Sequence, residues 1–211
     1  MVVGSIDVVG ERFRNTAFLI NAQGMTGRYD KIQLVPFGEF VPLSGLLGFV
    51  RGWAQFIAEL EAGTRAVVFN APPAPFGVVI CYEGIFPDLF RQFVRDGALL
   101  MLNMTNDAWF GRTSGPEQHL TMYPFRAIEH RISVVRAANT GVSAFIAPSG
   151  MILRRLNLFQ RDVMTESVSL RTRRTLFTRF GDWLGLLSLA VATAALAGSW
   201  RRAGPALVGN V

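Results

Sequence analysis

The sequence predicts an α/β fold with a buried sheet, followed by one membrane-spanning helix. Three observations carry this prediction. Strands and helices alternate along the middle of the chain, residues 98–103 (ALLMLN) form a continuous apolar run, and residues 183–200 contain no charged side chain. A strand that is apolar on both faces is typical of a sheet covered on both sides, and strands that alternate with helices are typical of α/β proteins.

The N-terminal part of the chain predicts a β-hairpin. Residues 2–9 (VVGSIDVV) and 16–21 (TAFLIN) are apolar, β-branched runs separated by a polar turn, which is the pattern of two paired strands. Residues 24–42 are punctuated by glycine and proline, and residues 43–60 are strongly apolar with several aromatic side chains. Periodicity does not decide between a buried helix and a lid on lipid for 43–60, so both interpretations stay open.

The central part of the chain predicts the alternation itself. Strands are expected at 66–70 and 76–81 on either side of a proline-rich turn, and a helix is expected at 86–95, before the apolar strand at 98–103. The elements predicted after that strand are a loop over 105–116, a helix around 117–131, strands near 132–138 and 142–147, and a closing strand and connector over 151–170.

Composition points toward a membrane surface. Half of the residues are hydrophobic, and the mean hydropathy of +0.31 is high for a freely soluble protein. The formal net charge of +6 could suggest nucleic acid. However, the arginines are scattered, and no zinc-ligand spacing or basic stripe with interleaved aromatic residues occurs. Attraction to an anionic lipid surface explains the charge equally well, so no nucleic-acid partner is predicted.

The uncharged run at 183–200 predicts a transmembrane helix. At 1.5 Å per residue this helix spans roughly 27 Å, close to the roughly 30 Å of a hydrocarbon core. Trp183 and Trp200 bracket the run, as expected for side chains at the two membrane interfaces. A basic connector, 171–182, precedes the run, and a tail, 201–211, follows it. Because more arginines precede the helix than follow it, the positive-inside tendency alone would place the globular part in the cytoplasm.

Cys81 is the only cysteine, so no intrachain disulfide can form. It ends an apolar strand and begins the turn Cys81-Tyr82-Glu83-Gly84. Such a junction lifts a nucleophile out of a sheet and leaves backbone N–H groups free to face an oxyanion. The alternative is a buried structural cysteine, which is common. The nearby Glu83 favours the catalytic interpretation, because a carboxylate is costly to bury without a role.

A catalytic thiol needs a base or a nearby cation. Lys31 is the only lysine among 21 cationic side chains. A lysine carries a compact ammonium whose pKa the surroundings can shift, whereas a guanidinium stays protonated. His119 and His130 could each form a dyad with the cysteine, but their surroundings are typical of solvated or packing positions. Lys31, with the carboxylates Glu39 and Glu83, is the better set of candidates.

Five motifs together resemble the nitrilase, or carbon–nitrogen hydrolase, superfamily, and within it the apolipoprotein N-acyltransferase family. The resemblance extends from about residue 3 to residue 200 and includes the terminal apolar helix. The motifs are Tyr29-Asp30-Lys31, LVPFGEFVP at 34–42, ICYE at 80–83, NDAWFG at 106–111 and RAIE at 126–129.

The resemblance implies an αββα sandwich with a Glu–Lys–Cys triad. The triad glutamate lies upstream in the family and is absent from this chain, because Glu11 stands in a polar turn with the wrong surroundings. Residues 1–170 are therefore expected to be a nitrilase-like catalytic domain that is incomplete at its N-terminus. The other implied roles are catalytic for Lys31 and Cys81, supporting for Glu39, Tyr82 and Glu83, and pocket-lining for Asn106 and Trp109.

The resemblance also implies a reaction. An acyl chain would move from a phospholipid, through a thioester on Cys81, to the N-terminal amine of a diacylglyceryl-cysteine lipoprotein. The family's location is the bacterial inner membrane with a periplasmic catalytic domain. This location is preferred to the one from the arginine count, since all spans of a protein set its orientation.

Several expectations about the isolated chain follow. It is expected to be a fragment that is inactive alone, and a missing N-terminal membrane portion is a partner that stays open. No cofactor is implied, and no metal is expected, because the two histidines and the cysteine are not at ligand spacing. Two alternatives also stay open: a nitrilase-type amidase that hydrolyses a small amide, and a non-catalytic remnant that binds a lipid surface.

Overall fold

Two β-sheets and four α-helices make up the described part of the chain, residues 1–42, 59–170 and 172–203, in a computed structural model. Residues 43–58 lie outside the described part, so the choice between a buried helix and a lid for segment 43–60 stays open. Most of the predicted tail, 204–211, also lies outside it. The predicted alternation of strands and helices through the middle of the chain is confirmed.

The smaller sheet has three antiparallel strands in the order β1, β2, β3. Strands β1 (Val2–Val9) and β2 (Arg12–Asn21) form the predicted hairpin. The third strand, β3 (Gly24–Asp30), was not predicted, because its glycines and polar residues do not form the apolar, β-branched pattern that is typical of a strand. Gly27 has a packing reason: a Cβ atom there would lie 2.8 Å from the ring of Phe69 in the other sheet.

The larger sheet has six strands in sequence order. Strands β5, β6 and β7 are parallel, and the other pairs are antiparallel. The helices α1 (Pro87–Arg95) and α2 (Gly115–His130) are the crossovers that parallel strands require. The strands are β4 (Val68–Phe69), β5 (Phe76–Ile80), β6 (Leu100–Asn106), β7 (Ser133–Asn139), β8 (Ala144–Ile146) and β9 (Ile152–Arg155).

Parallel strands place their carboxyl ends at one edge of the sheet, which is where α/β proteins usually carry their sites. Cys81 follows β5, while Asn106 and Asn139 are the last residues of β6 and β7. Every residue of β5 is buried, and one hydrophobic cluster joins it to α1, β6 and the smaller sheet. A buried, packed core therefore supports the edge that carries Cys81.

The predicted basic connector contains a short helix, α3 (Leu176–Phe180), which is docked on the domain. The guanidinium of Arg91 on α1 donates hydrogen bonds to the carbonyl oxygens of Thr178 and Arg179, at 3.0 Å each. Thr175 caps the helix by accepting a hydrogen bond from the Thr178 N–H. A five-residue helix among arginines gives too short a pattern to predict, and its order comes from these contacts.

His130, at the end of α2, lies buried beneath α3 between the rings of Phe90 and Phe177. The Thr175 hydroxyl donates to the carbonyl of Glu129, so the Thr178 hydroxyl must donate to Thr175 and accept from His130 Nδ1, 2.8 Å away. Nε2 is then the unprotonated nitrogen, and it is buried without a hydrogen-bond partner among the described residues.

Lowering the pH is therefore expected to destabilise the docked connector. Burial, followed by the charges of Arg126 and Arg91, lowers the pKa of His130 from 6.5 to about 4. Between these values the unfolded chain binds more protons than the folded one, so the free energy of unfolding falls as the pH drops, by at most about 3 kcal/mol.

Chemical denaturation in detergent at pH 7 and at pH 4.5 measures this loss. The matched variant is His130→Asn, which keeps a donor near Thr178 and does not titrate. A pH dependence in this variant as steep as in the parent chain would contradict the role given to His130.

The last described element, α4 (Trp183–Ala203), contains the predicted span. Its 18-residue window Trp183–Trp200 has a mean hydropathy of 1.5, and none of it is buried against the rest of the chain. A core helix of a soluble protein would be mostly covered. By length and composition, α4 is a candidate membrane-spanning helix.

Candidate active site

Cys81 occupies a strained turn at the carboxyl end of β5. Its φ of +55° is in the left-handed region, which costs a non-glycine residue roughly 1–3 kcal/mol and persists only where surrounding contacts impose it. The residue begins a 3-10 turn, Cys81–Ile85, and its side chain is half-buried. This is the strand-to-turn junction predicted for a nucleophile.

Glu83 supports this turn from below. Its side chain is fully buried and accepts hydrogen bonds from the Tyr29 hydroxyl and from the N–H groups of Ile32, Gln33 and Ile80, at 2.7–3.0 Å. Burial raises the pKa of Glu83, and the four donors oppose that shift. The carboxylate thus ties the turn after β5 to the segment that follows β3.

Glu83→Gln is expected to destabilise the fold by about 2–4 kcal/mol, since the amide nitrogen would face donors and leave at least one buried N–H without an acceptor. The midpoint of chemical denaturation measures this loss. Glu117→Gln is a suitable control, because Glu117 forms an ion pair with Arg155 at the surface. Equal midpoints for the two variants would contradict the structural role of Glu83.

Lys31 and Glu39 form a tight ion pair. The Lys31 side chain is fully buried, and its Nζ donates to both carboxylate oxygens of Glu39, at 2.8 and 2.7 Å. Glu39 also accepts from the Asn15 amide and from the Val35 N–H. The ammonium lies 5.8 Å from the centre of the Tyr82 ring. Glu39 therefore orients the only lysine of the chain.

A pocket of about 550 Å³ opens at this edge of the sheet. Four of the predicted site residues, Glu39, Cys81, Asn106 and Trp109, line it together with apolar side chains that include Leu60 and Met104. Trp109 is 79% exposed. The side-chain Oδ1 of Asn106 accepts hydrogen bonds from the side-chain amide of Asn139 and from the Ala108 N–H.

The other three predicted residues do not line this pocket. Lys31 contacts Glu39, which lines the pocket. Tyr82, next to Cys81, packs its ring edge-on against Phe86. Glu83 lies beneath the turn. The pocket can offer a thiol, an oriented carboxylate and an apolar wall to a substrate, while the ammonium stands behind the carboxylate.

A buried polar cluster behind Cys81 was missed by the sequence analysis. It joins Asn103 of β6, Asp107, His119 and Tyr123 of α2, and Arg136 of β7. Its one visible signal is a charged residue in the middle of the apolar strand SVVRAAN, because an arginine is almost never buried without partners. His119 is hydrogen-bonded to Asp107 in this cluster, and His130 is hydrogen-bonded to Thr178 of α3. Both arrangements are typical of packing positions.

The chain matches the Carbon-nitrogen hydrolase family over residues 1–176. It is 42% identical to the apolipoprotein N-acyltransferase of Geobacter metallireducens, over 95% of this chain and 40% of that protein. It is 35% identical to the enzyme of the same name from Synechocystis sp., over 92% of this chain and 37% of that protein. The chain thus spans about two fifths of the length of these relatives.

Solved structures agree with the fold. An amidase of the nitrilase superfamily from Nesterenkonia AN1 superposes with a TM-score of 0.56 at 22% identity, over 74% of this chain and 57% of that one. The predicted nitrilase-like fold class, with one candidate apolar helix after it, is confirmed. The chain belongs to the carbon–nitrogen hydrolase family, and the resemblance to apolipoprotein N-acyltransferases that its motifs predict is confirmed.

Proposed function

We propose that this chain is the cysteine-bearing part of an N-acyltransferase that moves an acyl chain from a phospholipid to the N-terminal amine of a diacylglyceryl-cysteine lipoprotein. The family and the names of the relatives support an acyltransferase. The observation that carries the proposal is Cys81, held in a strained turn at a partly apolar pocket beside the Lys31–Glu39 pair.

The reaction follows from the chemistry of these groups. The Cys81 thiolate attacks the ester carbonyl of the phospholipid. The resulting oxyanion is stabilised by backbone N–H groups of the turn and, from behind Glu39, by the charge of the Lys31 ammonium. The carbon–oxygen bond breaks, the lysophospholipid leaves with a proton, and a thioester remains. The lipoprotein amine then attacks the thioester, loses a proton to a base, and releases the Cys81 thiolate.

The base in this scheme is a carboxylate from outside the chain. The resemblance assigns it to a segment upstream, and Glu11, in the turn between β1 and β2, is exposed. Glu39 is already committed to Lys31. We therefore propose that the chain alone does not complete the reaction, and that an N-terminal membrane portion is its partner.

The apolar wall of the pocket and α4 both suit lipid substrates. Leu60 and Met104 can contact an acyl chain, and α4 would hold the pocket at the membrane that supplies it. By the resemblance, the location is the bacterial inner membrane with residues 1–170 in the periplasm. A reporter fused after residue 170 that reads cytoplasmic would contradict this orientation.

An amidase is the second candidate, because solved amidases share the fold. One structure of the Nesterenkonia enzyme carries the acetamide moiety of fluoroacetamide on its active-site cysteine. The same nucleophile could pass its acyl group to water. The exposed apolar helix α4 favours the lipid reaction, since a soluble amidase has no need of a span.

A chimera tests the proposal. The part of the Geobacter metallireducens relative that precedes the matched region is joined to Met1, purified in detergent, and incubated with phosphatidylethanolamine bearing a labelled acyl chain and with a diacylglyceryl-cysteine peptide. We expect the peptide to gain one labelled acyl group. The unfused chain is expected to transfer none. Ammonia release from small amides without acyl transfer would favour the amidase, and neither reaction would favour a non-catalytic remnant.

A further inference from the structure

We propose that Arg136 is a positioning residue for Cys81, acting through Asn103 and Tyr123 on the backbone of the turn. The inference rests on the proposed function, since it gives the buried cluster a role in acyl transfer. Arg136 lies outside the pocket lining, and every contact by which it would act is to another side chain or to the main chain.

The Cys81 carbonyl is the point of contact. It accepts a hydrogen bond from the Asn103 amide at 3.0 Å and another from the Tyr123 hydroxyl at 2.9 Å. Hydrogen bonds of this kind can offset much of the cost of a left-handed cysteine. Holding this carbonyl fixes the peptide plane after Cys81, and therefore the direction of the next N–H group.

Arg136 holds both donors. Its guanidinium donates to the side-chain oxygen of Asn103, to Asp107 at 2.6 Å and to the Val142 carbonyl at 3.1 Å, and it lies 4.9 Å from the centre of the Tyr123 ring. A guanidinium can only donate. The oxygen of Asn103 must therefore face Arg136, which turns its NH₂ group toward Cys81.

Two glycines leave room for this cluster. A Cβ atom at Gly84 would lie 2.3–2.6 Å from the ring and hydroxyl of Tyr123, and one at Gly141 would lie 2.2 Å from a carboxylate oxygen of Asp107. Any other residue at either position would displace a member of the cluster. The main chain is thus built around these side chains on two sides.

Stability alone does not account for the cluster. Arg136 and Asp107 have fully buried side chains, and a buried ion pair is often no more stable than apolar residues of the same volume. Five polar side chains directed at one another and at the Cys81 carbonyl are better explained by a requirement for geometry. Two members of the cluster, Asn103 and Tyr123, contact the strained turn directly through their hydrogen bonds to the Cys81 carbonyl.

The test compares two reactions of the single thiol in the unfused chain, in detergent at pH 9, where an ordinary thiol is mostly ionised. In the first, the sulfur attacks p-nitrophenyl butyrate, forms a thioester and expels p-nitrophenolate, a leaving group that needs no proton. In the second, iodoacetamide alkylates the sulfur and expels iodide. Only the first passes through an oxyanion, so only the first depends on the direction of the N–H groups.

Arg136→Lys and Tyr123→Phe are expected to lower the acylation rate about tenfold or more, relative to alkylation. Lysine keeps the positive charge but cannot hold Asn103, Asp107 and Val142 together. Val134→Ala is the matched control, because Val134 is buried on the same face of β7. It is expected to lower the melting temperature and to leave the ratio of the two rates unchanged.

The outcomes separate the two proposals. If Cys81 of the parent chain gains a butyryl group but the ratio is the same in all variants, Arg136 has no positioning role and the proposed function stands. A ratio that falls as far in Val134→Ala would also overturn the inference, since any destabilisation would then suffice. If the parent chain gains no butyryl group on Cys81, the proposed nucleophile itself is wrong.

Discussion

Replacing Lys31 by arginine is expected to lower acyl transfer in the chimera by about 100-fold or more, although the charge is kept. The Lys31 side chain has no exposed surface, and its ammonium fits between the two carboxylate oxygens of Glu39. A guanidinium is larger, spreads its charge over a plane, and would displace Glu39 or the Tyr82 ring. In the proposed mechanism, the charge that stabilises the oxyanion would then be displaced.

The rate of transfer to the peptide, measured beside the melting temperature, separates this effect from unfolding. Arg155→Lys is the control, because it replaces arginine by lysine in an ion pair at the surface. Such exposed pairs contribute little to the free energy of unfolding. Transfer by Lys31→Arg at more than half the parent rate would remove Lys31 from the mechanism.

Cys81→Ala is expected to abolish both the acyl-enzyme and the transfer, which is the largest effect that the mechanism allows. Because this is the only cysteine, no other thiol can form a thioester in the unfused chain. The side chain is half-buried at a pocket, so its removal is expected to leave the melting temperature within a few degrees.

Transfer that survives in Cys81→Ala would show that the amine attacks the phospholipid directly. The assay is run on chimeras whose grafted segment carries no cysteine, so that Cys81 remains the only thiol. Cys81→Ser provides a second test, since a hydroxyl in the same position is a far weaker nucleophile at neutral pH.

Local patterns made most of the fold predictable. The hairpin of β1 and β2 and the buried strand β5 have apolar, β-branched runs that end at clear turns, and the structure places them within a few residues of the predicted bounds. Strand β3 was missed because Gly24 and Gly27 weaken its pattern, and Gly27 is required by the approach of Phe69. Helix α3 was missed because contacts with α1 and α2 order its five residues.

The site residues also divide into those that local sequence motifs reveal and those that only the fold brings together. Cys81 and Glu83 stand in one short motif, and Lys31 and Glu39 are eight residues apart, so a sequence motif can reveal them. Arg136 is 33 residues from Asn103 and meets it only because β6 and β7 are neighbours. The spacing of residues along the chain does not predict such a contact. The only indication in the sequence is a charged residue in an apolar strand.

The mass of the intact chimera after brief exposure to phospholipid, with no acceptor peptide present, tests the central claim most directly. We predict a gain of one acyl group on Cys81, released by neutral hydroxylamine as a thioester should be, and greatly slowed in Lys31→Arg. An unmodified Cys81 in a protein that still acylates the peptide when it is added, or an acyl group on any other residue, would contradict the account.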